Sequence, residues 1–163
     1  THLIPLALRA AIQDEAELEV YGTDYPTPDG SCVRDYIHVQ DLAEAHLRGL
    51  NYLEQEGESI ALNLGTETGT SVLEILAAVE RVTALKVPHR ICPRRPGDPA
   101  VLVASNAKAR AVLGWSPKRD LDEIIRSAYD FMRRHPEGYP EVPSSMDEMV
   151  RPLRSRAEPK ASA

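Results

Sequence analysis

The spacing of apolar residues along the chain switches repeatedly between helical and extended rhythm. Leu3, Leu6, Ala7, Ala10 and Ala11 share one helical face, which predicts a helix over 3–13. Residues 17–21 read as a short strand. The stretch YGTDYPTPDGS that follows is rich in Pro, Gly and Asp, the residues that set turns. Residues 32–39 read as extended. Asp41 then falls in the first turn of a helix carrying Leu42, Ala45, Leu50 and Leu53 on one face, and an acid there suits the helix dipole. Residues 59–64 read as a buried strand. Ser71 and Glu74 have capping-box spacing ahead of Val72, Ile75, Leu76 and Val79, so a helix is expected to run to about Thr83. A strand over 87–92 follows, then a short helix that starts at Ser105 or Asn106 and stops at Gly114. Asp120 caps a last helix, with Leu121, Ile124, Ile125, Ala128 and Met132 inward, that ends before Pro136. Strands alternating with helices place the chain in the α/β class.

Composition narrows the picture. With 163 residues there is one domain's worth of material. The net charge of −6 argues against a nucleic-acid or anionic-membrane partner, since either needs a basic face. No apolar run approaches the roughly 18 residues of a membrane span. Cys32 and Cys92 are far apart and have no metal-ligand spacing, so a reduced, cytoplasmic setting is expected. The chain opens directly on helical rhythm, without Met or a leading strand, which suggests a piece of something longer. Residues 140–163 have little apolar content and several prolines, and read as a disordered tail. The five histidines show no metal spacing. His46, on the Leu42/Leu50 face, is expected to be partly buried. No Ser-His-Asp or Cys-His pairing can be argued.

Three stretches carry candidate chemistry. NLGTETGTSVLEI leads from a strand through a glycine turn into a capped helix, as phosphate-cradling turns do. It lacks the G-x-G-x-x-G spacing and the acid about 20 residues on, so it reads as a tight strand-to-helix turn. PRRPGDPAVLVAS puts Arg94, Arg95 and Asp98 on a rigid loop. It is either a phosphate grip, suited to arginine's planar fork, or a surface loop with a local Arg–Asp pair. In CVRDYIHVQDLAEAH, Arg34 sits in an extended run, neutralised either by Asp35 or by a bound anion. Two arginines on separate rigid elements would suit a diphosphate. Tyr21 is either a core aromatic or a face on which a base could stack.

The stretches VYGTDYPTPDGSCVRDYIHVQDLAEAH, LNLGTETGTSVLEI, RRPGDPAVLVAS and HPEGY, in this order, resemble the C-terminal half of UDP-glucose 4-epimerases, of the extended short-chain dehydrogenase/reductase superfamily. The resemblance runs from Thr1 to about Tyr139. It implies an α/β fold: the C-terminal substrate-binding portion of a Rossmann-type enzyme whose N-terminal NAD-binding part is missing, with 1–139 holding the UDP-sugar and 140–163 a tail. It implies that Arg34 and Arg95 grip the UDP diphosphate, Tyr21 lies against the uracil, Asp98 bonds the ribose hydroxyls, and Tyr36 lies nearby. Main-chain groups at His2 and Leu3 approach the nucleotide, and Leu102 lines the sugar pocket. The implied reaction interconverts UDP-galactose and UDP-glucose by NAD-mediated oxidation and reduction at C4, in a homodimeric parent. No tyrosine here has a lysine four residues on, so the catalytic Tyr-x-x-x-Lys pair is absent from this chain and the chain alone is expected to be inactive. Another nucleotide-sugar epimerase or dehydratase, or a stand-alone nucleotide-sugar-binding module, are the alternatives.

Overall fold

Helix α1 (Leu3–Ile12) opens the chain, with Pro5 in the first turn, where a missing N–H costs nothing. A computed structural model describes residues 2–13, 17–55 and 57–138. The expected tail lies outside the described residues. The buried face of α1 is Ile4, Ala7, Leu8 and Ala10, which turns toward α3 (Val72–Thr83). Leu6, expected inward, is 37% exposed. The stripe is thus rotated from the one read in the sequence, because Ile4 and Leu8 compete with Leu3 and Leu6 for the same core and win it.

Strand β1 (Leu18–Tyr21) lies parallel to β4 (His89–Cys92), with Tyr21 opposite Cys92. Strand β2 (Val33–Arg34) is the centre of a second sheet, antiparallel to β3 (Thr70–Ser71) and parallel to β5 (Val101–Leu102). Helix α3 starts as its capping box requires. The Ser71 hydroxyl accepts from Glu74 N at 3.0 Å, and the Glu74 carboxylate accepts from Ser71 N at 2.7 Å. Ser71 Oγ also donates to Asp29, and Ser31 Oγ accepts from Leu73 N, so the loop before β2 is sewn to this helix start.

The segment 59–64, expected as a strand, has no regular structure. A strand exists only where a neighbour completes its ladder, and no described residue pairs with this one. Its Leu62 and Leu64 lean on a core of Ala45, Ala109 and Trp115 instead.

Helix α2 (Val39–Glu54) begins two residues before Asp41, because buried His38 caps it: His38 Nδ1 accepts from Gln40 N at 3.0 Å. Asp41 is fully buried. Its carboxylate accepts from Lys118 N and Arg119 N, both at 3.1 Å, and pairs with the Arg119 guanidinium. The Asp41 carbonyl accepts from Trp115 Nε1 at 2.9 Å. Burial alone would raise this carboxyl, but those donors outweigh it and hold it below the usual carboxylate range. Asp41 thus ties α2 to the segment between α4 (Ala107–Leu113) and α5 (Leu121–Arg134). Asp120 caps α5, accepting from Glu123 N at 2.9 Å. His46 is exposed rather than partly buried, its ring paired with the Leu42 carbonyl. Residues Thr1–Asp130 form one compact unit; the described part of the second, from Phe131 to Gly138, is the end of α5 and the turn after it. No helix of the described residues is long and apolar enough to cross a membrane.

The His38 cap makes stability pH-dependent. Burial, then the nearby Arg119 charge, holds its imidazole below its usual pKa; Asp41 and Glu123 pull weakly the other way. A protonated ring could not accept from Gln40 N. The folded-state pKa lies below the unfolded value of about 6.5, so the contribution is complete above that pH and is lost as pH falls below it. The urea midpoint is expected to fall between pH 7 and pH 5, and His38→Asn, which retains an acceptor oxygen, is expected to flatten that slope. An unchanged slope in the variant would refute the assignment.

Candidate functional site

Arg34 sits on β2 opposite Leu102 of β5. Its guanidinium pairs with the Asp98 carboxylate, and its Nη1 donates to the Val33 carbonyl at 2.7 Å. Asp98 stands on the loop after β4, 64 residues away in sequence, and also accepts the Cys32 thiol at 3.8 Å. Asp35 does not neutralise Arg34. It accepts from Thr66 N at 2.9 Å, the Thr66 hydroxyl, and Ala104 N at 3.1 Å. An internal carboxylate therefore takes both donors of Thr66 in the glycine turn. At Gly65, which faces the Ala104 carbonyl and Asp35, there is no room for a Cβ.

Arg95 lies over the Tyr21 ring, 3.8 Å from guanidinium carbon to centroid. Tyr21, followed by the charges of Asp98 and Glu19, raises its pKa above the usual value. The Tyr21 hydroxyl donates to Glu19, which also holds Arg90. Those bonds, Tyr21 first, lower the Glu19 carboxyl. Asp98 thus links both candidate arginines, pairing with one and adding to the field around the other. Tyr36 is half-buried; burial pushes its phenol up, and Arg34 opposes the shift. Leu102 is 61% exposed on its edge strand, free to line a cavity. Leu3 begins α1, where the His2 carbonyl accepts Leu6 N at 3.1 Å, and nothing in the geometry draws that helix start into the cluster.

Several participants escaped the sequence reading. Glu19 steers Tyr21 because residues two apart in a strand share a face, a signal present in LEVY. Asp24 and Tyr25 hold Arg94: Nε donates to Asp24 Oδ1 at 2.6 Å, and the guanidinium lies 4.1 Å from the Tyr25 centroid. Tyr25 is buried, its hydroxyl has no hydrogen-bond partner among the described residues, and burial, then Cys32, raises its pKa. Nothing local in the sequence links these positions.

The cluster offers two planar cationic forks, one carboxylate and an aromatic face. Together these can hold a doubly anionic group with a polyol and a flat ring beside it. Elsewhere, the His38–Ser127 contact at 2.9 Å looks like half of a nucleophile pair. Nδ1 already accepts from Gln40 N, so in the neutral ring Nε2 carries the proton and cannot serve as base. Among the described residues, no group of three or more His, Cys, Asp or Glu could hold a metal ion.

The profile of the family described as GDP-mannose 4,6 dehydratase matches residues 1–128. A UDP-glucose 4-epimerase of Rhizobium leguminosarum bv. trifolii is 56% identical over 131 residues, covering 80% of this chain and 40% of that protein. A crystal structure of a UDP-glucose 4-epimerase superposes with TM-score 0.83 at 48% identity, over 86% of this chain and 43% of that one. The Bifidobacterium longum UDP-glucose 4-epimerase in complex with NAD+ and UDP does so with TM-score 0.79 at 40% identity, over 85% and 41%. The fold is that of the Rossmann-type short-chain dehydrogenase/reductase α/β class. Within it, the chain belongs to the GDP-mannose 4,6 dehydratase family, and it resembles the UDP-glucose 4-epimerases in particular. It spans about two-fifths of the length of the relatives it matches.

Proposed function

We propose that this chain forms the UDP-sugar-holding part of a UDP-glucose 4-epimerase, which interconverts UDP-galactose and UDP-glucose by oxidation and reduction at C4. The observation that carries the reading is the Arg34–Asp98 pair, between β2 and the loop after β4, with Arg95 of that same loop stacked on the Tyr21 ring. The two guanidiniums take the diphosphate. Asp98, released from Arg34 by that anion, takes the ribose hydroxyls. Tyr21 offers its ring to the uracil, Tyr36 lies alongside, and Leu102 borders the sugar. For Leu3 only the resemblance implies an approach to the nucleotide, through its main chain.

NAD supplies the hydride chemistry in such an enzyme, and the residues described here do not fit it. The glycine turn that might cradle it lacks the G-x-G-x-x-G spacing, and its Thr66 N–H and hydroxyl are already bonded to Asp35. We therefore assign NAD to the part of the relatives' length that this chain does not span. The Tyr-x-x-x-Lys pair belongs there too, so the chain alone is expected to turn over no UDP-galactose. The homodimer and the cytoplasmic setting implied by the resemblance belong to the same proposal.

Calorimetric titration of UDP into the 163-residue chain, held in solution by the NAD-binding half of its relatives, tests the site. A hydrogen bond to a charged group contributes about 1.5–3 kcal/mol. Arg34→Ala and Arg95→Ala are each expected to weaken UDP by at least about tenfold, and to affect uridine much less. Equal losses for UDP and uridine, or no binding of UDP, would overturn the diphosphate assignment.

A further inference from the structure

Arg94 and Arg95 are neighbours, yet each lies over a different tyrosine. We propose that Arg94 is a positioning residue for the UDP-sugar site: it fastens the loop after β4 to the loop after β1 and so sets where Arg95 meets the diphosphate. This rests on the nucleotide reading above.

Arg94 is held at several points. Its Nε donates to Asp24 Oδ1 at 2.6 Å, another guanidinium nitrogen donates to the Asp24 carbonyl, and the plane lies 4.1 Å from the Tyr25 centroid. Asp24 raises the Arg94 pKa above its usual value, so the grip is a charged one. The Arg94 stem crosses Gly22, where an added Cβ would stand 2.7 Å from Arg94 Cγ and 2.6 Å from the Tyr25 ring. Gly22 has φ +83, a conformation that favours glycine in any case. Gly22 N donates to the Cys92 carbonyl at 2.8 Å, so the two loops leave the β1–β4 ladder side by side.

The consequences reach the ligand cluster by two routes. Arg95 follows Arg94 directly and lies over Tyr21, the last residue before Gly22. Tyr25, beneath Arg94, is 6% exposed and sits beside Cys32, whose thiol donates to Asp98. Arg94 itself keeps 41% of its side chain exposed, so it is no part of the core. A bare positive charge would not reproduce this arrangement, since lysine has neither the fork nor the flat face that stacks.

The test measures UDP affinity by calorimetry for the full chain supplied with the NAD-binding half of its relatives, as Arg94→Ala, Arg94→Lys, Arg95→Ala and the double variant Arg94→Ala/Arg95→Ala, alongside thermal midpoints. Freeing one previously held arm is expected to weaken UDP about tenfold in both Arg94 variants, with midpoints little changed. In the Arg95→Ala background, Arg94→Ala should add much less than it does alone, because the more direct of the two routes runs through Arg95. If Arg94→Ala lowers the midpoint, Asp24→Asn decides: it should reproduce the loss of affinity, and unchanged affinity overturns the proposal. So does unaltered binding by Arg94→Lys, or an undiminished Arg94 effect when Arg95 is absent. If the unaltered chain binds no UDP, the nucleotide reading fails and this proposal with it; if it binds and the Arg94 variants bind equally, only this proposal fails.

Discussion

Asp41→Ala is expected to destabilise the chain by about 3 kcal/mol, the low end for breaking a buried ion pair, because Arg119 keeps 31% of its side chain exposed. The carboxylate is fully buried and serves two main-chain donors as well as the guanidinium. Removing it leaves the Lys118 and Arg119 N–H groups without an acceptor, and the turn before α5 loses its tie to α2. Domains of this size are stable by only about 5–15 kcal/mol, so the shift in urea midpoint should be plain. Asp41→Asn retains an acceptor oxygen but not the charge, and is expected to fall between. A midpoint for Asp41→Ala equal to that of the unaltered chain would show that the hub contributes nothing.

Self-association is the second large effect expected. Along α2, Leu47, Leu50 and Leu53 are 64%, 54% and 53% exposed, and Ile60 beside them is 40% exposed. Leu50, Leu53 and Ile60 border an open apolar groove with Leu62, Leu64 and Leu113. Fully burying one Leu side chain contributes about 1.5–3 kcal/mol, so a face of this size left in water removes a large share of the stability available to one domain. Contiguous apolar patches of this kind also drive association. The proposed occupant is the NAD-binding half of the relatives, which this chain does not span. The chain by itself is expected to be marginally stable and to sediment as aggregates. Leu50→Lys with Leu53→Lys should reduce the association without restoring a sharp melt, and supplying the NAD-binding half to the unaltered chain should suppress association and restore a sharp melt. A reversible, monomeric transition well above body temperature in the unaltered chain would sink this expectation and favour a stand-alone binding module.

How much of the site was legible varied with the range of the interaction. From the residues alone, Arg34, Arg94, Arg95, Asp98 and Tyr21 stood as candidates with a bland reading open for each; the resemblance, not the spacing, singled out Arg95, Asp98 and Tyr21. Their pairing was not legible. The sequence offers Arg34 either adjacent Asp35 or a bound anion, but in a strand consecutive side chains point to opposite faces, so Asp35 turns to Thr66 and Ala104 while Arg34 meets Asp98. The division of labour between Arg94 and Arg95 was equally hidden, since it depends on which tyrosine each one meets.

The elements divide in the same way. The sequence by itself determined α3 and α5, because their start signals are local: Ser71 with Glu74 and Asp120 with Glu123 lie three residues apart and close within one turn. It determined the stop of α4 at Gly114, whose φ of +61 suits glycine. Only the tertiary structure decided that residues 59–64 form no strand, that α1 turns Ile4 and Leu8 rather than Leu6 inward, and that Asp41 is a buried hub rather than a dipole-facing surface acid. The physical reason is common to all three. A helical turn satisfies its backbone from residues four apart, whereas a ladder, a buried face and a buried charge are each completed by partners that the chain brings together only when it folds.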